Sequence, residues 1–112
     1  MSKPTNRSYS RYSREAAELF GLLIRQARIK RQMTAESLAE RAGISRGLLL
    51  RIEKGDLGCA IGAVFEVAAI VGVRLFDQDQ TQMSMRVGEA IATQALLPHA
   101  VRASTVQVKD DF

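Results

Sequence analysis

Three residues, Gly43-Ile44-Ser45, separate two short segments that each have the composition of a helix, and this short connection constrains the fold more than any other feature. The segment before it, 35–42, contains mostly strong helix formers, and Gly43 supplies the left-handed conformation that ends a helix. Ser45 is a favoured N-cap for the segment that follows, 46–54. Two short helices joined by three residues must turn sharply, so the sequence predicts a helix-turn-helix arrangement and not an antiparallel hairpin.

Further helices are predicted on both sides of this motif. Ser13 is the N-cap candidate of a first helix that runs to about Arg31, because apolar residues recur between them at three- and four-residue steps. Thr34 is the capping candidate of the next helix. Residues 61–71 are nearly all apolar, and eleven residues are long for a strand, so we expect a buried fourth helix. By helical spacing, its inward positions are Ile61, Val64, Phe65, Ala68 and Ala69.

The remaining third of the chain has weaker patterns. Residues 73–76 predict a helical turn that seals the core, followed by a solvated loop at 77–80. Met83, Val87, Ile91 and Leu96 are spaced as in another helix, which should end before Pro98. Residues 105–109 alternate at period two and predict a short strand. The predicted organisation is a flexible arm at 1–12, an all-α helix-turn-helix domain at 13–77 and a C-terminal extension at 78–112.

The composition excludes several classes of protein. A chain of 112 residues with 46% hydrophobic and 25% charged residues is typical of one small globular domain. One Cys and one His form no metal-ligand set, and His99 has no catalytic partner set, so we expect no metal, no cofactor and no enzyme. The sequence has neither a signal peptide nor an apolar run near the ~18 residues that span a membrane, so we expect a soluble, cytoplasmic protein.

The charge is unevenly distributed along the chain. Residues 1–58 contain 12 basic and 6 acidic residues, whereas residues 59–112 contain 4 basic and 6 acidic residues. A basic half favours a polyanionic partner such as nucleic acid, although a solvated basic face has the same composition.

Residues 19–76 resemble the helix-turn-helix domain of the Cro/lambda-repressor (Xre) family. The match is most specific around the turn, where two helices cross closely only if small and apolar residues meet. These residues are Leu38, Ala39, Ala42, Gly43, Ile44, Ser45, Leu49, Ile52, Glu53, Lys54 and Gly55. The resemblance implies a five-helix domain whose third helix enters the DNA major groove, with an internal ion pair between Arg28 and Glu53.

The resemblance also implies which residues contact DNA, while Leu49 and Ile52 face the core. The candidate DNA-binding residues are Thr34, Ser45, Arg46, Gly47, Leu48, Leu50, Arg51 and Lys54. Arg46 and Arg51 are candidates for contacts with base edges or with nearby phosphates. A guanidinium matches guanine O6 and N7, and such a base contact contributes about 1–3 kcal/mol of discrimination. Thr34 and Lys54 are expected at phosphates, and Gly47 would let the backbone approach closely.

The sequence departs from the family pattern at three of these positions. Ala35 stands where the family often has Gln, so one usual DNA contact is missing. Leu48 and Leu50 replace residues that are commonly small and polar. Either these leucines contact thymine methyl groups or they cover a neighbouring surface, and the sequence leaves both open.

More narrowly, the whole chain resembles the HipB-like antitoxins, small Xre-type proteins that repress their own operon and bind a HipA-type serine/threonine kinase toxin. The resemblance lies in Gly55-Asp56-Leu57-Gly58, Ile61-Gly62-Ala63-Val64, Leu97-Pro98 and Lys109-Asp110-Asp111-Phe112. A homodimer on a palindromic double-stranded operator is expected, because one domain contacts too few base pairs to find its site in a genome. The extension would supply the dimer or partner surface, with Val106 and Val108 adding a strand to another chain, either the partner or the second copy, and Phe112 as an apolar anchor.

Two other functions use the same fold. An ordinary Xre-type repressor would lack the toxin partner, and a kinase-like gene beside this one would separate the two alternatives. A protein-interaction adaptor would show weak salt dependence of binding and no operator footprint.

Overall fold

The computed structural model describes residues 8–101, and within these residues all regular structure is helical. The elements are α1 (Arg11–Lys30), α2 (Ala35–Ala42), α3 (Arg46–Glu53), α4 (Ile61–Val71), a 3₁₀ turn (Leu75–Asp77) and α5 (Gln80–Leu96). The predicted all-α fold is therefore confirmed. Two compact units make up the chain, one ending at Asp77 and the other beginning at Gln78.

Part of the C-terminal extension lies outside the described residues. This applies to the strand expected at 105–109 and to the candidate partner residues Val106, Val108 and Phe112. Among the residues described, no helix has both the length and the apolar character that crossing a membrane requires.

Helices α1 to α4 surround one hydrophobic core. Its buried side chains are Ile24 of α1, Leu38 and Ala39 of α2, Leu49 and Ile52 of α3, and Val67, Ala68 and Val71 of α4. Helix α2 packs on α3 and α4, and α1 packs on the same two helices. The third helix is therefore held from two sides, with its inward face fixed by core packing.

The capping residues of the helix-turn-helix motif are confirmed. Thr34 begins α2, and its Oγ1 accepts a hydrogen bond from the Ser37 amide at 3.0 Å. Gly43 ends α2 with φ of 70°, in the left-handed region. Ser45 begins α3, and its Oγ accepts from the Leu48 amide at 3.0 Å.

The predicted start of the first helix is wrong by one turn. Helix α1 begins at Arg11 with Ser10 as its N-cap, and the Ser10 Oγ accepts from the Ser13 amide at 3.2 Å. Ser13 is thus the residue that donates to the cap and not the cap itself. Both serines are suitable capping residues, and the apolar periodicity, which begins at Ala16, does not distinguish between them.

The inward face of α4 also differs from the expected one. The helix itself is confirmed, but Ile61 is 68% exposed and Ala69 is exposed, whereas Val67 and Val71 are buried. In a nearly all-apolar segment, several faces fit helical spacing equally well. Packing against α1 and α2 decides which face is buried.

The turn after α4 closes the core only in part. Val73 and Leu75 pack against the core, but Phe76 is 76% exposed. Phe76 and Asp77 have φ values of 54° and 58°, so the backbone bends here and carries the Phe76 ring out of the core. The expectation that all of residues 73–76 seal the core is therefore wrong at Phe76.

The predicted C-terminal helix is confirmed as α5. Asp79 Oδ1 accepts from the Gln82 amide at 2.8 Å, and Gln82 Oε1 accepts from the Asp79 amide at 2.9 Å, which forms a capping box. The solvated loop expected at 77–80 is accordingly shorter, since Gln80 is already helical. Met83, Val87 and Ile91 recur every four residues and form one apolar stripe along α5.

Candidate nucleic-acid interface

Most of the candidate DNA-binding side chains lie on the exposed surface of the motif. Thr34, Ser45, Arg46, Gly47, Arg51 and Lys54 are all exposed, while Leu49 and Ile52 on the same helix are buried. One face of α3 is therefore fixed in the core and the other is available to a ligand.

The first turn of α3 favours negative charge. It contains no acidic residue, and Arg46 is its first residue. In the described part of the chain, neither Arg46 nor Lys54 forms an ion pair, so both keep their charge available. The unpaired backbone N–H groups of a helix N-terminus add to the attraction for phosphate oxygens.

The Thr34 hydroxyl is suited to a phosphate contact. Its oxygen accepts from the Ser37 amide, so its proton remains available to donate. Glu36 lies in the first turn of α2, the helix that Thr34 caps. Its negative charge repels a phosphate that approaches close to the axis of this helix.

The two leucines on α3 are only partly exposed. Leu48 is half-buried and packs against the core. Leu50 is half-buried as well.

The expected ion pair between the first and third helices is confirmed. Arg28 Nε donates to Glu53 Oε2 at 2.7 Å and Arg28 Nη2 donates to Glu53 Oε1 at 3.0 Å, while Nη1 donates to the Met33 carbonyl at 3.0 Å. The two side chains are 11% and 3% exposed. The hydrogen bond from Arg28 to Glu53 raises the pKa of Arg28 despite partial burial, which lowers it. This pair therefore acts in positioning α3 and is too buried to contact DNA.

A second ion pair, which sequence reasoning missed, involves a candidate DNA-binding residue. Arg51 Nε donates to Asp56 Oδ2 at 2.8 Å, and Asp56 Oδ1 accepts from the Gly58 amide at 2.7 Å. The hydrogen bond from Arg51, followed by that from the Gly58 amide, lowers the pKa of the Asp56 carboxyl. The signal available in the sequence is an Asp two residues before a Gly, immediately after the glycine that ends α3, since such an Asp commonly accepts from the amide two residues on.

An apolar groove lies apart from this face. It has a volume of about 520 Å³ between α1, α4 and the 3₁₀ turn, and no residue of α3 lines it. The large side chains that line it include Tyr12, Phe20, Phe65 and Phe76. Exposed apolar surfaces of this kind are typical of protein contacts.

A family model described as a helix-turn-helix domain, of the Xre/Cro-like type, matches residues 19–75. The chain belongs to this helix-turn-helix family, and its class is that of DNA-binding regulators. No curated protein and no solved structure matches the chain.

Proposed function

We propose that this chain is a sequence-specific transcriptional repressor that binds duplex DNA as a homodimer, with α3 in the major groove. The observation that carries the proposal is the position of Arg46 and Arg51 on the exposed face of a helix whose opposite face, Leu49 and Ile52, is fixed in the core. Because the core fixes the orientation of α3, both arginines stay on its solvent side.

The proposed contacts divide by chemistry. Arg46 and Arg51 contact base edges, since their planar donor groups match guanine O6 and N7. Ser45, Thr34 and Lys54 contact phosphates, and Gly47 allows close approach of the backbone. Leu50 and the exposed part of Leu48 would contact thymine methyl groups in this proposal.

The experiment begins with a duplex selected by the unmodified protein from a randomised library. Arg46→Ala should lower affinity for the selected duplex by about 5- to 150-fold, the range that 1–3 kcal/mol of base discrimination represents, and should affect a scrambled duplex less. Arg74→Ala is the matched control, because Arg74 is exposed and lies outside the helix-turn-helix motif. Equal losses for the two variants on both duplexes would contradict the proposal.

Two features support the homodimer. One is the exposed apolar stripe of α5, and the other is the small number of base pairs that a single domain contacts. The stripe of Met83, Val87 and Ile91 is largely exposed, with Val87 51% and Ile91 65% exposed. In proteins, most of the stability of a helix comes from packing of its apolar face, so the exposed stripe of α5 favours a partner surface. We propose that the stripe packs against that of a second copy. Helix-turn-helix dimers present their recognition helices about 34–36 Å apart, which matches half-sites one DNA turn apart, and we expect this spacing of the homodimer.

The narrower proposal is that the chain is an antitoxin of the HipB-like type that binds a HipA-type serine/threonine kinase. Its support is the resemblance of short segments such as 55–58 and 61–64, and the candidate contacts Val106, Val108 and Phe112. Truncation after Leu97, followed by operator binding and co-purification with such a kinase, tests the role of the tail. Loss of kinase capture with DNA binding intact is expected, and full capture by the truncated chain would contradict the proposed tail contacts.

A further inference from the structure

We propose that Asp56 determines specificity by positioning Arg51. It holds the Arg51 side chain so that both terminal nitrogens of the guanidinium can donate to one guanine of the DNA site. The inference rests on the proposed DNA binding and adds to it a residue outside the recognition helix. Asp56 itself does not contact the base in this account but acts through Arg51.

The guanidinium of Arg51 has one nitrogen paired with Asp56 and two terminal nitrogens left for a ligand. Arg51 Nε donates a hydrogen bond to Asp56 Oδ2 at 2.8 Å. In the described part of the chain, neither Nη1 nor Nη2 of Arg51 has a hydrogen-bond partner. The Arg51 side chain is 54% exposed. An arginine whose Nε is occupied still offers its two terminal nitrogens end-on, and this pair fits guanine O6 and N7.

The carboxylate is itself held in place. Its second oxygen accepts from the Gly58 amide at 2.7 Å, and the Asp56 backbone amide donates to the Arg51 carbonyl at 3.0 Å. A Cβ placed at Gly58 would lie 3.2 Å from Asp56 Oδ1 and 3.6 Å from Arg51 Nη2, so the pair rests against the backbone of this turn. Two hydrogen bonds besides the one from the Arg51 side chain therefore anchor Asp56, and the anchored carboxylate restricts the rotamers of that longer side chain.

The pair is too exposed to contribute much to folding, so we expect its main effect on binding. At 54% and 38% side-chain exposure, an ion pair contributes little to folding because solvent screens it. Restricting an arginine before binding removes part of the ordering cost that binding otherwise carries. The same carboxylate repels phosphates, so it weakens contact with DNA of any sequence while it favours the base contact. These two effects have opposite signs and can be separated by measurement.

The test compares Asp56→Asn with Glu66→Gln, a control that removes one exposed negative charge from α4. Both are titrated against the library-selected duplex and against a scrambled duplex of the same composition. For Asp56→Asn, affinity for the selected duplex should fall about tenfold, within the range of one base contact, and affinity for the scrambled duplex should stay equal or rise. Glu66→Gln should leave the ratio of the two affinities unchanged. An unchanged ratio in Asp56→Asn, or tighter binding to the selected duplex, would overturn the proposal.

A double-mutant cycle tests whether Asp56 acts through Arg51. In an Arg51→Ala background, Asp56→Asn should cause no further loss in the affinity ratio, since there is then no guanidinium to position. An additional loss of the same size in that background would show that Asp56 acts by another route.

A measurement on the free protein separates this proposal from DNA binding. The Arg51 Nε–H should give an NMR resonance protected from solvent exchange, and Asp56→Asn should remove that protection. If the library yields no enriched duplex, both the proposed function and this inference fail. If a duplex is enriched but the Arg51 Nε–H exchanges freely, only the inference fails.

Discussion

Gly21 of α1 lies directly against the Ile52 carbonyl near the end of α3, where a Cβ added at Gly21 would come within 2.6 Å of that oxygen. The Glu53 carbonyl lies at the same distance from that position. The absence of a side chain at Gly21 therefore allows α1 to approach the backbone of α3, next to the Arg28–Glu53 ion pair that joins the same two helices. Together these contacts fix where the recognition helix stands.

Gly21→Ala should lower the free energy of unfolding by about 1–3 kcal/mol, the cost of overpacking a close contact, even though Ala favours a helix. The atoms that block the new Cβ are backbone atoms, which have no rotamer to change. Gly62→Ala on α4 is the control, because nothing lies within 4 Å of its Cβ position. Urea unfolding measures both, and equal stability of the two variants would contradict the close approach.

Glu53→Ala should lower the free energy of unfolding by about 3–5 kcal/mol, because it leaves the Arg28 charge buried without its partner. The double variant Arg28→Met with Glu53→Leu should recover most of this loss, since it removes both charges. Glu15→Ala is a control for the exposed Arg11–Glu15 pair and should change little. A loss for Glu53→Ala as small as that for Glu15→Ala would mean that the buried pair is not formed.

Cys59 should react slowly with iodoacetamide in the folded protein. Burial raises the pKa of its thiol, followed in importance by the nearby Asp56 charge. Because the thiolate is the reactive form, a raised pKa keeps the folded protein less reactive at pH 8 than the urea-unfolded chain. The contribution of this thiol to the stability of the folded protein is fully present below the pKa that the thiol has in the unfolded chain. It is lost as pH rises through the higher pKa that the thiol has in the folded protein. Equal alkylation rates for the folded and unfolded chains would show that the thiol is not shielded.

Ile91→Asp should convert the proposed dimer to a monomer, because it places a charge in the apolar stripe of α5. Ala92→Asp is the matched control, since the next residue lies about 100° around the helix and off the stripe. Sedimentation equilibrium at micromolar concentration gives the mass of each variant. A monomeric unmodified protein, even with DNA present, would contradict the dimer.

Sequence patterns predicted the elements of the fold better than the direction of individual side chains. The positions of Thr34, Gly43 and Ser45 depend on local backbone chemistry, so the sequence alone located them correctly. Ser10 and Ser13 offer the same chemistry three residues apart, and only the observed hydrogen bond distinguishes them.

The less predictable features depend on contacts between elements. Whether Ile61 or Val67 faces the core is decided by how α1 and α2 pack on α4, and an almost uniformly apolar segment carries no sign of that choice. The Arg51–Asp56 pair depends on the path of the chain after α3, which bends at Gly55 with φ of 81°. By contrast, the family resemblance implied the Arg28–Glu53 pair, although 25 residues separate its two members.

We propose above all that this chain recognises a particular DNA sequence through α3. Its most direct test is a titration of the unmodified protein, at a fixed salt concentration of about 0.15 M, against the library-selected duplex and its scrambled counterpart. We expect the selected duplex to bind at least about 10³-fold more tightly, the lower end of the range for specific over non-specific binding. Equal affinities for the two duplexes would contradict sequence-specific recognition and would leave only general attraction of a basic surface to DNA.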